Sequence, residues 1–312
     1  PDAVYFPTHT EGMEMAGMAR AGPYAIALSY SFPHRFWTVH ETESERVYVQ
    51  DPGAVHLMMS VWDAETRVVV PVGSPNIELT RDGEFVDQRS LWPMLSQTMG
   101  FHFGDNVPLP GDGSYTATIR LGPVTARRTG DFANRFDESV TAEIEFEYSR
   151  DARDDVAVRE YRGKQGQKGA APPMEMDMPL ATVPHRLNLP GDEIGEATSG
   201  DGVFIATVVD EGAAFGTDGR TYLAVSPRTP YHLFPLPLMS LSATITRDGE
   251  TVLDDSLRAT IDPGLKYHYG APIDGIESGD TVSLSIDAPP QVVRHEGYET
   301  AFLTMADVEF TV

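Results

Sequence analysis

The sequence predicts an all-β protein built as two tandem immunoglobulin-like antiparallel β-sandwiches. Three observations predict it: the chain repeats itself at one offset, its apolar residues alternate with period two, and turn signals separate the alternating runs. Thr80-Arg81-Asp82-Gly83-Glu84 recurs as Thr246-Arg247-Asp248-Gly249-Glu250, and 246 − 80 is 166. His102-Phe103-Gly104 recurs as His268-Tyr269-Gly270, and Pro123 maps to Pro289, both at that same offset of 166.

Each copy is then read in order. Residues 115–121, 142–148 and 282–286 alternate apolar and polar side chains, the pattern of half-buried strands. Asp82-Gly83 and Asp248-Gly249 are hairpin turn signals between β-rich runs. No stretch shows a long 3.6-residue period. Residues 149–196 are charged and then rich in Gly, Pro and Met, and 162–173 have linker composition. The expected organisation is a first sandwich with a candidate metal site over 1–160, a linker over 161–196 and a second sandwich over 197–312.

Composition narrows the function classes. The 312 residues carry 47 acidic and 23 basic side chains, a net charge of −24, so a phosphate backbone would be repelled and nucleic acid is excluded as a partner. Hydrophobic residues make up 41%, enough for packed cores. No apolar run approaches the ~18 residues of a membrane span, so a soluble chain is expected. Lysine occurs only at Lys164, Lys168 and Lys266 while the acids are scattered, a balance suited to staying hydrated in concentrated salt; a haloarchaeal source is expected. The absence of cysteine removes disulfides, thiolate metal sites and cysteine nucleophiles together. The chain begins at Pro1, so an upstream signal peptide or lipid-anchored tether is expected.

The candidate chemistry lies in histidine and methionine. Six of the twelve methionines form two acidic clusters, Met13, Met15 and Met18 in one, Met174, Met176 and Met178 in the other. Thioether sulfur is a soft ligand suited to copper, although such residues also serve as adaptable apolar filler. In a flexible linker the second cluster is expected to be exposed. Residues 55–59 read as a strand that puts His56 and Met58 on one face. A loop bearing Met94 and ending at His102 could close over that strand, bringing two imidazoles and a thioether together with one position open. His34 and His185 share a Pro-His-Arg word, where carboxylate pairing by Arg35 and Arg186 or packing is the simpler expectation. His232 reads as a satisfied loop histidine, and His9 as a terminal residue that could join a surface metal site. No Gly-x-Ser-x-Gly, phosphate loop or His-Glu-x-x-His is present, so a binding protein is expected, not an enzyme.

The run His102-Phe-Gly-Asp-Asn, followed by Gly113-Ser-Tyr115 and a strand ending Gly122-Pro123, resembles the periplasmic P19/Tp34 iron-transport proteins. Their pattern is a Pro-Met loop, a His-Tyr-Gly-x-Asn step, Gly-x-Tyr and a strand ending in Pro. The second copy, with His268-Tyr-Gly and Pro289-Pro290, is closer still. The resemblance covers the central part of each repeat, about half the chain. It implies immunoglobulin-like sandwiches that dimerise and bind copper in support of ferrous iron uptake.

The family site uses a His-x-Glu strand pair, the Pro-Met methionine, the His-Tyr-Gly histidine and a later histidine from across the dimer. Carried over, these are His56, Met58 in place of Glu, Met94 on a loop one residue longer, and His102. The first repeat lacks the late histidine over residues 124–129, whereas the second carries His295. The second repeat has Tyr222, Ala224 and Thr260 where the first has His56, Met58 and Met94. The resemblance therefore implies a covalent pseudo-dimer, monomeric in solution, with one composite site of His56, Met58, Met94, His102 and His295. The alternative is that both sites have decayed and the histidines pack or face solvent.

The expected function is a secreted or envelope-tethered protein binding copper, with ferrous iron as the alternative ion, and handing it to a membrane permease. The competing reading is a surface adhesion or scaffold module without metal; a copper oxidase is the third.

Overall fold

The computed structural model describes residues 3–71, 75–210, 215–216 and 219–312; Pro1 lies outside the described residues. Almost every regular element is a strand, as the period-two runs predict. In Val140–Tyr148 the inward side chains Ala142, Ile144, Phe146 and Tyr148 are buried and the residues between them face solvent. The two Asp-Gly turns form as expected. Asp82 and Gly83 have φ of 49° and 81°, Asp248 and Gly249 of 50° and 83°, the left-handed pair that a tight hairpin needs.

In the first half, one sheet runs Glu14–Ala21, Tyr24–Ser31, Val55–Asp63, Gly100–Val107, Trp92–Ser96. It faces a four-stranded sheet of Val140–Tyr148, Gly113–Leu121, Asn76–Arg81 and Glu84–Ser90. The second half repeats this plan. Its long strand Glu250–Asp262 pairs with Ser240–Arg247 through its first part and with Lys266–Ile273 through its last, so it serves both sheets. The result is two antiparallel β-sandwiches with immunoglobulin-like layering. Among the described residues no helix is long and apolar enough to cross a membrane.

The halves exchange short strands. Val293–Arg294 of the second half pairs in parallel with Trp92–Ser96 of the first, Val293 opposite Met94, and continues that sheet into Phe36–His40 and Glu43–Val47. Arg127–Arg128 of the first half pairs in parallel with the long strand of the second, Arg127 opposite Thr260. Both members of these two pairs are separated by 166 (293 − 127 and 260 − 94), so the sequence offset reappears in the sheet register. The fully buried Arg294 anchors its strand by donating to the Pro290 and Val292 carbonyls at 2.9 and 3.2 Å, its guanidinium over the Phe302 ring.

Every residue of Tyr24–Ser31 and of Val55–Asp63 is buried, so neither strand has an exposed face. Met178 and Ala181 of the segment 161–191 belong to the same buried cluster as residues of both strands. That segment lacks long strands, in keeping with its composition, but it is an ordered strap and not a flexible exposed tether. Its backbone bonds the N-terminal residues (Phe6 N–H to Gln167 carbonyl, 2.9 Å) and Thr98 (from Met174 N–H, 2.8 Å). Ala171, Met178 and Val183 are buried, so the expected exposure fails for Met178. The first strand of the second half, Asp192–Ser199, starts inside the stretch that composition assigns to linker.

Candidate metal centre

Each candidate side chain is placed by strand register. His56, on Val55–Asp63, lies opposite Asn106. Met94 lies opposite His102 on one side and Val293 on the other. His295 follows the exchanged strand, and its N–H donates to the Leu95 carbonyl at 3.1 Å. Thus a residue 193 positions away from His102 in sequence (295 − 102) arrives within 5.2 Å of its ring centroid, and equally within 5.2 Å of the His56 ring.

Hydrogen bonding fixes how each imidazole points. His102 Nδ1 is 3.1 Å from the Gly100 carbonyl, which can only accept, so Nδ1 carries the proton and Nε2 a bare lone pair. Asn106 Nδ2 donates to the His34 carbonyl at 2.8 Å and its Oδ1 accepts from the His34 N–H, which orients the amide. That Oδ1 is 3.0 Å from His56 Nδ1, so His56 also has its proton on Nδ1 and a bare Nε2. For His295 the partner is His34. The His34 Nδ1 faces two acceptors, Glu11 Oε2 at 3.0 Å and the Phe32 carbonyl at 3.1 Å, and is therefore protonated. His34 Nε2 is 3.1 Å from His295 Nδ1; when it accepts there, as a neutral imidazole must, His295 Nε2 is bare as well.

All three Nε2 atoms, of His56, His102 and His295, are buried and have no hydrogen-bond partner. Unpartnered buried polar atoms are costly, and bare imidazole lone pairs are what a metal ion can satisfy. Gly104 makes the remaining room. A Cβ there would stand 3.1 Å from both His56 Nε2 and Met94 Sδ, so the two donors flank one small space. Met58 is buried on the same strand face as His56 and lines the cleft of about 470 Å³ that opens onto His102 and His295. The structure therefore brings His56, Met58, Met94, His102 and His295 into one region. Among the described residues, the histidine ligand atoms that lie within 4.8 Å of one another and could hold a metal ion are those of His34, His56 and His295, with His102 outside that grouping.

Electrostatics keep the donors ready. Burial pushes His102 down to about 4. Burial, and then the neighbouring imidazoles, push His56 and His295 well below the ordinary histidine range. All three are neutral at pH 7, so no proton has to leave before a metal binds. At the outer end of the chain, burial alone would raise the Glu11 carboxyl, but hydrogen bonds from His34 and His9 outweigh it and hold it well below the usual carboxylate range.

The pseudo-equivalent position in the second half is closed. His268 Nε2 accepts from the Tyr222 hydroxyl at 3.1 Å, and its Nδ1 donates to the Lys266 carbonyl at 3.0 Å. The Tyr222 ring stacks on Phe215 at 4.5 Å, and Thr129, at the place of His295, donates to Asp262. Of the remaining histidines, His40 and His185 are exposed, and His232 is bonded to the Ala171 carbonyl. Arg35 pairs with Glu296, and Arg186 with Glu193 and Glu196. Sequence reasoning set His34 aside and left out Glu11 and Asn106. Asn106 stands in the His102-Phe-Gly-Asp-Asn run and could have been found there; no spacing links His34 to His295.

Residues 187–311 match the profile of a domain of unknown function, DUF7350. No curated protein matches the chain by sequence. Among solved structures, FetP from uropathogenic Escherichia coli strain F11 is similar at 18% identity, covering 45% of this chain and 96% of that chain with a TM-score of 0.31. A copper-bound variant of the same FetP is similar at 18% identity, covering 45% and 97%, with a TM-score of 0.33. A copper-bound variant of Campylobacter jejuni P19 is similar at 16% identity, covering 45% and 97%, with a TM-score of 0.31.

Proposed function

We infer that this is a metal-binding protein of the cell envelope that captures one copper ion per chain and passes it on, without catalysing a reaction. One observation carries the reading: the buried, unpartnered Nε2 atoms of His56, His102 and His295 beside the Met94 thioether. Imidazole and thioether suit copper in either oxidation state and suit Mg²⁺ or Ca²⁺ poorly, since those ions take oxygen ligands. Met58, standing where the resembled family has Glu, leaves no carboxylate in the set and softens it further. Neutral donors at the floor of an open cleft favour exchange over permanent retention.

The reciprocal strand exchange at the offset of 166 supports a duplicated chain that acts as its own dimer, with a monomer as the working form. His295 then plays for the first half the part a partner subunit's histidine plays in the resembled family. An envelope location and a permease as recipient follow from that same resemblance.

The test is calorimetric titration of Cu(II), and of Cu(I) under reductant, into wild type, His102→Ala and His295→Ala in high salt, with circular dichroism confirming the fold. One ion per chain, weakened by both substitutions, is expected. No binding by folded wild type would leave the adhesion or scaffold reading in its place.

A further inference from the structure

The two methionine clusters, far apart in sequence, lie side by side in the fold. Met13, Met15 and Met18, on and just before the edge strand Glu14–Ala21, line one surface groove of about 420 Å³ together with Met174, Met176 and the strap's acidic residues. Both walls are ordered. Met15 and Met18 stand in register with Ser29 and Ala27, Met174 is tied to Thr98, and the Asp177 carbonyl accepts from Arg67 at 2.8 Å. Met15 and Met18 keep 44% and 52% of their surface open, whereas a thioether recruited as core filler is buried. Met174 also lines the histidine cleft, so the groove and the cleft share a wall.

We propose that this groove is a second metal site, a thioether site for a soft monovalent cation, Cu(I) or Ag(I), and that it loads the histidine cleft through Met174. Thioethers are neutral and polarisable; they bind such ions without releasing a proton and compete poorly for Zn²⁺, Mg²⁺ or Ca²⁺. The bound ion keeps its positive charge, and Glu175 and Asp177 on the rim attract it. Passage into the cleft is ligand exchange. A groove thioether gives way to Met174, then Met174 to the cleft donors, and copper stays Cu(I) throughout, so no electron or proton is required. Binding in the groove stands on its own; the loading step rests on the function proposed above.

The experiment is ¹³C-methyl NMR of methionine-labelled protein titrated with Ag(I), a redox-inert substitute for Cu(I), alongside Cu(II) calorimetry. The methyls of Met13, Met15, Met18, Met174 and Met176 are expected to shift, with Met239 and Met305 unmoved. Met15→Leu/Met18→Leu, a volume-conserving change at exposed positions, is expected to weaken Ag(I) in the groove at least tenfold and leave Cu(II) affinity unchanged. Shifts confined to Met58 and Met94, or undiminished Ag(I) binding by the double variant, would overturn the groove site. Ag(I) binding in the groove of a wild type that takes no Cu(II) would overturn the loading step and the cleft's function while the groove remains.

Discussion

A methyl group added at Gly104 would sit 3.1 Å from His56 Nε2, 3.1 Å from Met94 Sδ and 3.0 Å from the Leu57 carbonyl oxygen. Relaxed contacts of carbon with such atoms are about 3.5–4.0 Å, so both donors must retreat by roughly half an ångström or more. The Leu57 oxygen is backbone in the sheet ladder and has little room to move. Gly104 is not left-handed, so alanine meets no backbone strain there, and the cost is the overpacking alone, about 1–2 kcal/mol. The metal suffers more, because the methyl fills the space between two of its donors. Losing either donor is expected to lower Cu(II) affinity at least 100-fold, about 2.8 kcal/mol at 1.4 kcal/mol per decade. Urea unfolding and copper calorimetry on Gly104→Ala read the two effects separately. Gly270→Ala is the matched control: its methyl would overlap the Tyr222 hydroxyl, so it should destabilise more and leave copper affinity unchanged. Folded Gly104→Ala binding copper within threefold of wild type would refute the placement of the ion between His56 and Met94.

Two further outcomes are expected. His34→Ala removes the acceptor that orients His295, and should cost 10–100-fold in copper affinity at unchanged stoichiometry; His34→Gln, whose amide oxygen can accept from His295 Nδ1, should recover part of it in the same titration. Burial holds His268 at about 4 against an ordinary 6.5. Above pH 6.5 both folded and unfolded chains leave it neutral; between there and 4 only the unfolded chain takes the proton, so stability falls as pH falls, by about 3 kcal/mol in full. Urea unfolding at pH 7 and pH 4.5 should show His268→Gln losing about 2.5 kcal/mol less than wild type, and equal losses would show that the buried imidazole is not held neutral.

Much of the fold is legible because its signals are local. Alternation in Val140–Tyr148 and the two Asp-Gly turns need only neighbouring residues, and the offset of 166 carries the plan of one half onto the other. For the candidate site, strand periodicity and loop spacing point to His56, Met58, Met94 and His102 and the family resemblance to His295, and the fold places these residues in one region. What escaped is what only the tertiary structure creates. An exchanged strand of two residues, Val293–Arg294, has no pattern to read. The strap is ordered by bonds to residues 4–8 and 97–98, far away in sequence, and its Gly/Pro composition reads as flexible. His34 and Glu11 act through His295, at separations that no motif spans.

The central claim is that the two halves of one chain close around a single copper site. Anomalous diffraction at the copper edge from crystals soaked in Cu(II) tests it directly. The account expects one peak per chain, about 2 Å from Nε2 of His56, His102 and His295 and on the Met94 side of the cleft. A peak beside His268, peaks only at exposed histidines such as His40 and His185, or none in a folded crystal would contradict it.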